Sequence, residues 1–532
     1  MNAILAILRE DWSANPSGLP RQAKLFVLGI MALGLFMALF DIQIVAASLK
    51  DVQAGLAAGP DEVSWVQTAY LMAELVMVPL SAYLAQAMST RWLFVSSATL
   101  FTVSSLLCGL SWSIGSIIAF RALQGFTGGA MVPLVYSVGF MMFTGKDRAL
   151  VPAVLGAVGV FGPTLGPSVG GFITDTIGWR WLFFVNIVPG FGMAAISAMV
   201  LRVDRANPTM FGRIDWSHFV AMAVFLAGLE YVLEEGPRHD WFGDTGIAIA
   251  GWASLVGFAL FVERCFFSAN PLVSLSPLRR PTFVIASLFN FIIGIGMYTS
   301  IYLVPLYLAR VRGYDAMQIG STVFVVGIAQ MTSLALSTWL SQRIDVRWMC
   351  AAGLGLFAGS LWSTSILSSD WGFWEFATPN LLRGLAMMLC IAPSVTLALS
   401  GFAPTELRYA SGLFNLLRNL GGAVGIALAN TMLQDHSRIA QLRFGEALAQ
   451  GGGAAQEWVR RTAGALHAAT PDPAHAMLMA RGLFGRLAGQ EALTLAFNDV
   501  FRVMAWLFVA ALILVPFCRL PANGAPAPTD SH

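Results

Sequence analysis

Charge is what this sequence has least of. Asp, Glu, Lys and Arg make up 11% of its 532 residues, against about 25% in a typical soluble domain. A soluble chain of this length covers its surface with charge, and this one has too little. With 57% hydrophobic residues, the same shortage excludes a disordered chain, a collagen and a long coiled coil. The net charge of +2 gives no footprint for nucleic acid, so none is expected as a partner. Cysteine is scarce as well. Cys108, Cys265, Cys350, Cys390 and Cys518 are odd in number, scattered and mostly inside apolar runs. They read as small buried hydrophobes rather than as a disulfide framework. No CxxC or HExxH spacing occurs, and none of the six histidines lies in the middle of an apolar run, so no metal site is expected. No GxxxxGK[ST] phosphate loop is present, which removes nucleotide as fuel. The longest hydrophilic stretch, residues 435–498, is too short for a sizeable soluble domain. What remains is a polytopic membrane protein.

A spanning helix takes about 20 largely apolar residues. Fourteen such runs lie near 25–48, 62–85, 92–112, 115–140, 149–173, 181–201, 214–235, 245–267, 282–309, 317–340, 347–367, 374–401, 407–434 and 499–518. They are continuously apolar, without the alternation of barrel strands, so the expected class is all-α. The first run is too long for a signal-peptide core, and Glu10 and Asp11 precede it, so it reads as a span. With the N-terminus inside, cytoplasmic segments hold sixteen Lys and Arg, among them Arg21, Lys24, Arg91, Arg213, Arg280 and Arg347, and the short outer loops hold five. Both termini are therefore expected on the cytoplasmic side.

The chain repeats itself. Leu84, Gln86, Arg91 and Trp92 after the second run return as Leu340, Gln342, Arg347 and Trp348 after the tenth. Pro133 and Arg148 return as Pro393 and Arg408; the three matches fall in order at offsets of 256, 260 and 260. The expected organisation is a cytoplasmic segment 1–24, a six-span bundle 25–201, a linker with two extra spans 202–281, a second six-span bundle 282–518 that includes an outer segment 435–498, and a tail 519–532. Duplicated bundles are transporter architecture, with the substrate site between the halves near the midplane.

Span 5 carries Gly162-Pro163-Thr164-Leu165-Gly166-Pro167-Ser168-Val169-Gly170-Gly171; span 4 carries Arg121-Ala122-Leu123-Gln124-Gly125. Gly178-Trp179-Arg180-Trp181-Leu182-Phe183-Phe184-Val185-Asn186 follows span 5, and Asp41 stands in span 1. In these motifs the chain resembles the Major Facilitator Superfamily, and within it the fourteen-span drug:proton antiporters of the EmrB/QacA type. The resemblance implies two six-helix bundles plus two extra helices, an antiporter motif in span 5 and a proton-transfer motif around Arg121. It also implies export driven by the proton gradient without a cofactor, across the inner membrane of the cell. The chain departs from the family's pattern at Ala82 and Gln86, in the conformational loop that keeps Arg91, and at Gln43, Ala46 and Lys50 after Asp41.

The residues have their own logic. Gly162, Gly166 and Gly170 recur every fourth position, so they share a helix face that lets a neighbour approach closely. With Pro163 and Pro167 expected to bend the helix, that face reads as a seam between the halves. Arg121 at membrane depth costs at least about 2.5–3.5 kcal/mol and wants a partner. By helix rise, Arg121 and Asp41 lie roughly 9 and 10 Å from the outer ends of their spans, so they are expected to couple directly, through water or through Gln124. Glu74, near the middle of span 2, is a second candidate, either as proton carrier or as counter-charge for a cation. Arg383 in span 12, Asn415, Arg418 and Asn419 in span 13 and Glu230 in span 7 complete the buried polar candidates for holding the halves together or meeting substrate.

Residues 435–498 read as an outer segment broken by Gly451-Gly452-Gly453, Pro471 and Pro473, with helical spacing over 474–494. It is either a docking site for a periplasmic adaptor that leads to an outer-membrane channel, as the resemblance implies, or a loop lying on the bilayer. The function expected is proton-coupled efflux of small lipophilic or amphiphilic substrates. A dedicated exporter of one metabolite, a symport permease and a polytopic transferase remain as alternatives; the last would want a His or paired carboxylates at a membrane face.

Overall fold

The structure is a computed structural model that describes residues 16–518 apart from 145–146, 148–149, 269–270, 315, 342, 400–401, 403, 450–452 and 468–471. Lys146, Arg148, Gln342 and Arg519, used above for the repeat and the orientation, lie outside the described residues, as do the side chains of Pro163, Pro167 and Arg408. Among the described residues every regular element is a helix.

A helix stands at each of the fourteen positions. Spans 1 to 6 are Arg21–Ala47, Pro60–Met88, Thr90–Gly109, Ile114–Gly128 continued by Met131–Met142, Leu150–Ile177, and Trp181–Phe184 followed by Ile187–Val200. Spans 7 and 8 are Trp216–Glu235 and Thr245–Phe267. Spans 9 to 14 are Pro281–Arg310, Ala316–Leu340, Val346–Thr364, Phe373–Leu399, Pro404–Ala449 and Pro473–Leu514. Among the described residues twelve helices are long and apolar enough to cross a membrane; spans 5 and 11 stand outside that twelve. Polar residues at the water boundaries start several helices. Asp215, Asp244, Asp345 and Asp472 cap spans 7, 8, 11 and 14 by accepting backbone N–H bonds from His218, Gly246, Arg347 and Ala474.

The pairing of helices repeats. Span 1 lies along span 5, span 2 along span 4, and span 3 against spans 4 and 6. Span 9 likewise lies along span 13, span 10 along span 12, and span 11 against spans 12 and 14. The two sets meet where span 5 touches span 10 and span 2 touches span 13. Spans 7 and 8 stand outside this scheme. Span 8 packs on span 7 and exposes Ile249, Trp252, Leu255 and Val256, as a lipid-facing helix does. Span 7 packs on span 2 and also touches span 13. It is tied to both: Thr68 Oγ1 donates to Glu235 Oε1 at 3.1 Å, and Trp241 Nε1, in the turn after span 7, donates to Thr431 Oγ1 at 3.1 Å. Glu235 is buried.

Two expectations need correction. The glycine face of span 5 is not a seam between the halves. Span 5 is helical throughout, and Gly162, Gly166 and Gly170 meet span 1 of the same half. A Cβ at Gly162 would sit 3.2 Å from Leu39 Cβ and Phe40 N, and one at Gly170 would sit 2.8 Å from the Ile44 carbonyl oxygen. Gly166 faces Gln43 and Ile44, and Gly171 next to Gly170 is half-buried. The second half builds the same contact between spans 13 and 9, with Gly422 against Tyr298 and Gly425 against Ile295.

The outer segment, for its part, is not a loop on the bilayer. Span 13 continues without a break to Ala449, and span 14 begins at Pro473. At about 1.5 Å per residue these rods are roughly twice the hydrocarbon thickness of about 30 Å, so both project well beyond it. The helix Gly453–His467 packs on the projecting part of span 14 through Val459, Ala463 and Ala480.

Candidate functional site

Asp41 and Arg121 are both fully buried and form an ion pair between spans 1 and 4. Arg121 Nη1 donates to Asp41 Oδ2 and, at 2.8 Å, to Gln124 Oε1. Gln124 Nε2 donates to Asp41 Oδ1 at 3.0 Å. The spacing of three between Arg121 and Gln124 puts both on one helix face, so one short motif supplies the cation and an amide to the same carboxylate. Asn186 Nδ2 adds a third donor to Asp41, at 2.7 Å, and also donates to Ser105 Oγ at 3.1 Å. Arg121 Nε donates to the Val66 carbonyl at 3.1 Å, and its guanidinium lies 4.3 Å from the centre of the Tyr70 ring. Spans 1, 2, 3, 4 and 6 thus converge on one carboxylate. Such a pair survives burial only when its remaining donors and acceptors are matched, and here nearly all are; Arg121 Nη2 is the exception.

Asn186 stands in the short break within span 6, in a stretch whose family likeness was evident but whose role was not. The signal was available as a lone amide in an apolar segment. Tyr70 was missed too, because an aromatic in an apolar helix reads as core.

Among the described residues the pair is confined to the first half. At the equivalent place in the repeat, Asn380 Nδ2 donates to the Thr322 carbonyl at 2.9 Å, where Arg121 Nε meets Val66. Arg383 is buried and donates to Asn380 Oδ1, and its Nη1 has no partner among the described residues. The second half has the shape without the acid.

A cavity of about 110 Å³ lies between the halves. Span 1 contributes Leu39, Ile42 and Gln43; span 2 contributes Gln67, Leu71, Glu74 and Leu75. Span 7 contributes Glu230 and Glu234, and spans 9 and 13 contribute Tyr298, Asn419, Gly422, Ala423 and Ile426. Glu74 is one helical turn beyond Tyr70, so span 2 carries both a wall of the cavity and the ring that packs on Arg121. Arg121 also lies within electrostatic reach of Glu74. Glu230 is buried at the cavity wall.

Of the remaining candidates, Arg418 reaches across the halves. Arg418 Nη2 donates to Asn415 Oδ1 at 2.8 Å, and its Nη1 crosses to Tyr136 Oη of span 4 at 3.4 Å. Asn419 accepts from Tyr298 Oη at 3.4 Å. In the loop between spans 2 and 3, Gln86 turns back on its own helix, with Nε2 3.5 Å from the Ala82 carbonyl, and Arg91 stacks on Trp92. The contact that ties this loop is one the motif did not indicate. Asp204, in the linker after span 6, accepts from Thr90 N at 2.9 Å and from Thr90 Oγ1 at 2.6 Å.

Duplicated six-helix bundles, a buried ion pair in one of them and a cavity between them define a membrane carrier. The profile of the Major Facilitator Superfamily matches residues 31–426, and the chain belongs to that superfamily. It is 36% identical over 505 residues to the colistin resistance protein EmrB of Acinetobacter baumannii, covering 93% of this chain and 96% of that one. It is 26% identical over 512 residues to the multidrug export protein EmrB of Escherichia coli K12, covering 96% and 98%. Among solved structures, the human organic anion transporter MFSD10 superposes with a TM-score of 0.55 at 14% identity, over 92% of this chain and 100% of that one, which shows the fold alone.

Proposed function

We propose that this protein exports lipophilic or amphiphilic compounds across the inner membrane in exchange for protons, by alternating access, with both termini in the cytoplasm and no cofactor. The observation that carries the coupling is the fully buried Asp41–Arg121 pair, linked through span 2 to a cavity that Glu74 lines. A proton on Asp41 cancels its charge and leaves Arg121 a buried cation without its counter-ion. Glu74, on the cavity wall, lies within electrostatic reach of that cation. Arg121 and the carboxylates compete, so a proton taken up at Asp41 changes how the cavity holds a substrate, and substrate binding changes how Asp41 holds a proton. That reciprocity is the linkage an antiporter needs. Rocking of one bundle against the other exposes the cavity to each side in turn, with the Arg418–Tyr136 contact among those that break and reform. The export names carried by the relatives support the direction of transport.

The projecting ends of spans 13 and 14 are the proposed seat of a periplasmic adaptor leading to an outer-membrane channel. Leu442 and Leu478 are exposed there on the projecting rods.

The test uses inside-out vesicles energised to an acid interior, with a fluorescent pH reporter and a panel of lipophilic compounds. Substrates should release protons in wild type and not in Asp41→Asn. Equal release from both proteins would remove Asp41 from the coupling.

A further inference from the structure

Spans 13 and 14 pack together, but the seam between them is open along part of its length. Two cavities follow one another there. The first, of about 210 Å³, is lined by Leu428, Met432, Val503 and Leu507, and it reaches Gly425 and Ile295, where span 13 meets span 9. The second, of about 480 Å³, is lined by His436, Arg443, Asp499 and Arg502, with Ile439 and Leu495 beside them. In span 13 the lining positions Gly425, Leu428, Met432, His436, Ile439 and Arg443 advance by three or four, as do Leu495, Asp499, Val503 and Leu507 in span 14. Residues so spaced share a helix face. The same two faces therefore line both cavities, as one furrow about 18 Å long by helix rise between Leu495 and Leu507. It shares no lining residue with the cavity between the halves.

The furrow is graded in polarity, and the grading follows membrane depth. Arg347, at the start of span 11, donates from Nη1 to the Cys518 carbonyl at 3.2 Å, which marks one membrane boundary of span 14. From Cys518 to Asp499 is about 29 Å by helix rise, against a hydrocarbon thickness of about 30 Å. Asp499 and its neighbours thus stand at headgroup level on the opposite boundary, while Val503 and Leu507 lie at acyl depth. Leu428 and Val503 are exposed there. At the charged end Asp499 accepts from Arg502 Nη1 at 3.3 Å and stands 2.8 Å from His436 Nδ1. Arg443 makes no hydrogen bond or ion pair among the described residues. Two arginines share one carboxylate, so this end is cationic. Their remaining N–H groups have the fork geometry that phosphate oxygens accept. A soluble anion leaves the apolar half of the furrow unfilled, and an apolar helix leaves the arginines without a counter-charge. A phospholipid with net negative charge matches both ends at their own depths.

We propose that the furrow between spans 13 and 14 is a binding site for one anionic phospholipid, with its phosphate at Arg502 and Arg443 and an acyl chain along Leu428, Val503 and Leu507. The lipid is a resident of the seam and is not the transported compound. Its tail ends at the contact of spans 13 and 9, so it braces the helix that also lines the cavity between the halves.

The experiment uses the full-length protein, delipidated in dodecyl maltoside, and counts bound lipid by native mass spectrometry. The probes are dioleoylphosphatidylglycerol, which is anionic, and dioleoylphosphatidylcholine, which has the same tails and no net charge. Wild type should retain one phosphatidylglycerol at a concentration at least tenfold below that needed for phosphatidylcholine. Arg443→Gln with Arg502→Gln should abolish that preference and leave phosphatidylcholine unchanged. Arg443→Gln alone, at an exposed and unpaired position, should reduce the preference and serves if the double variant fails to fold. Val503→Trp, which fills the acyl end and spares the arginines, should weaken both lipids. Lipid held by basic loops elsewhere survives all of these variants, so the difference between proteins is the diagnostic. Equal retention of the two lipids by wild type, or a preference that outlives the arginine variants, overturns the proposal. So does a Val503→Trp protein that binds as wild type does. Inorganic phosphate that displaces phosphatidylglycerol at equal concentration also overturns it, since the site would then hold a simple anion.

Discussion

Replacing Asp41 by Asn is the sharpest perturbation the structure offers. The change is nearly isosteric, and the oxygen of the new side chain can still accept from Gln124 and Asn186. Its amide nitrogen, however, would face Arg121 Nη1, donor against donor, in a place from which water is excluded. Breaking a buried pair by removing one partner costs about 3–5 kcal/mol, because the other charge is left uncompensated. That is roughly a hundredfold or more in the folded-to-unfolded ratio. Removing both charges, with Asp41→Asn and Arg121→Gln together, leaves no orphan. The double variant should therefore be more stable than either single one, with a coupling energy of about 2–3 kcal/mol. The assay is unfolding in mixed micelles of dodecyl maltoside and increasing dodecyl sulfate, followed by tryptophan fluorescence. All three variants should fail to exchange protons for substrate in vesicles, so stability and coupling part company in the double variant. If the double variant is no more stable than the worse single one, the pair is not an energetic unit. If it still exchanges protons, the coupling lies elsewhere.

Two further outcomes follow from packing and capping. Gly170→Val should destabilise by about 1–3 kcal/mol, because its Cβ meets the Ile44 backbone oxygen and spans 1 and 5 must separate; Gly192→Ala, with open space around it, should be neutral or stabilising in the same micelle titration. Asp215, at the start of span 7, is held below the usual carboxylate range by hydrogen bonds from Ser217, Ser268 and the His218 N–H and by nearby Arg264, against the opposing effect of burial. A lowered carboxylate stabilises the fold above its unfolded value, and this contribution is lost as the pH falls toward its folded value. Asp215→Ala should cost about 1 kcal/mol at neutral pH and flatten the loss of stability between about pH 5 and acid; an acid limb unchanged from wild type would refute that assignment.

The spans were legible because burial in lipid demands long apolar runs, and Asp41, Arg121 and Gln124 because charge inside such runs is costly. Helix rise even put Asp41 and Arg121 at one depth. Neutral polar residues cost less to bury than charges, so Asn186, Asn380 and Thr90 gave a weaker signal, and their partners lie on segments distant in the chain. The glycine spacing in span 5 showed that a helix comes close, but spacing alone does not say which helix. Residues 435–449 looked like loop because the apolar signal stops there. The better clue was the absence of proline from Thr405 to Thr470, with the triple glycine at 451–453 marking the true end of the rod. The reach of span 7 into the cavity was beyond the sequence, since the insertion has no counterpart in the repeat to set its position.

The unbroken course of span 13 has a mechanical consequence. Gly422 and Asn419 at the cavity and Ala449 at the far tip belong to one stiff rod. By helix rise the tip lies about 42 Å from the cavity level. A tilt of roughly 10° at the cavity would sweep the tip through about 7 Å by the same geometry. In the proposed alternating-access cycle the tip would be a pointer whose deflection follows the side to which the cavity opens. In the proposed cycle, a partner seated on it would sense that deflection, and a clamp on it would hold the carrier still.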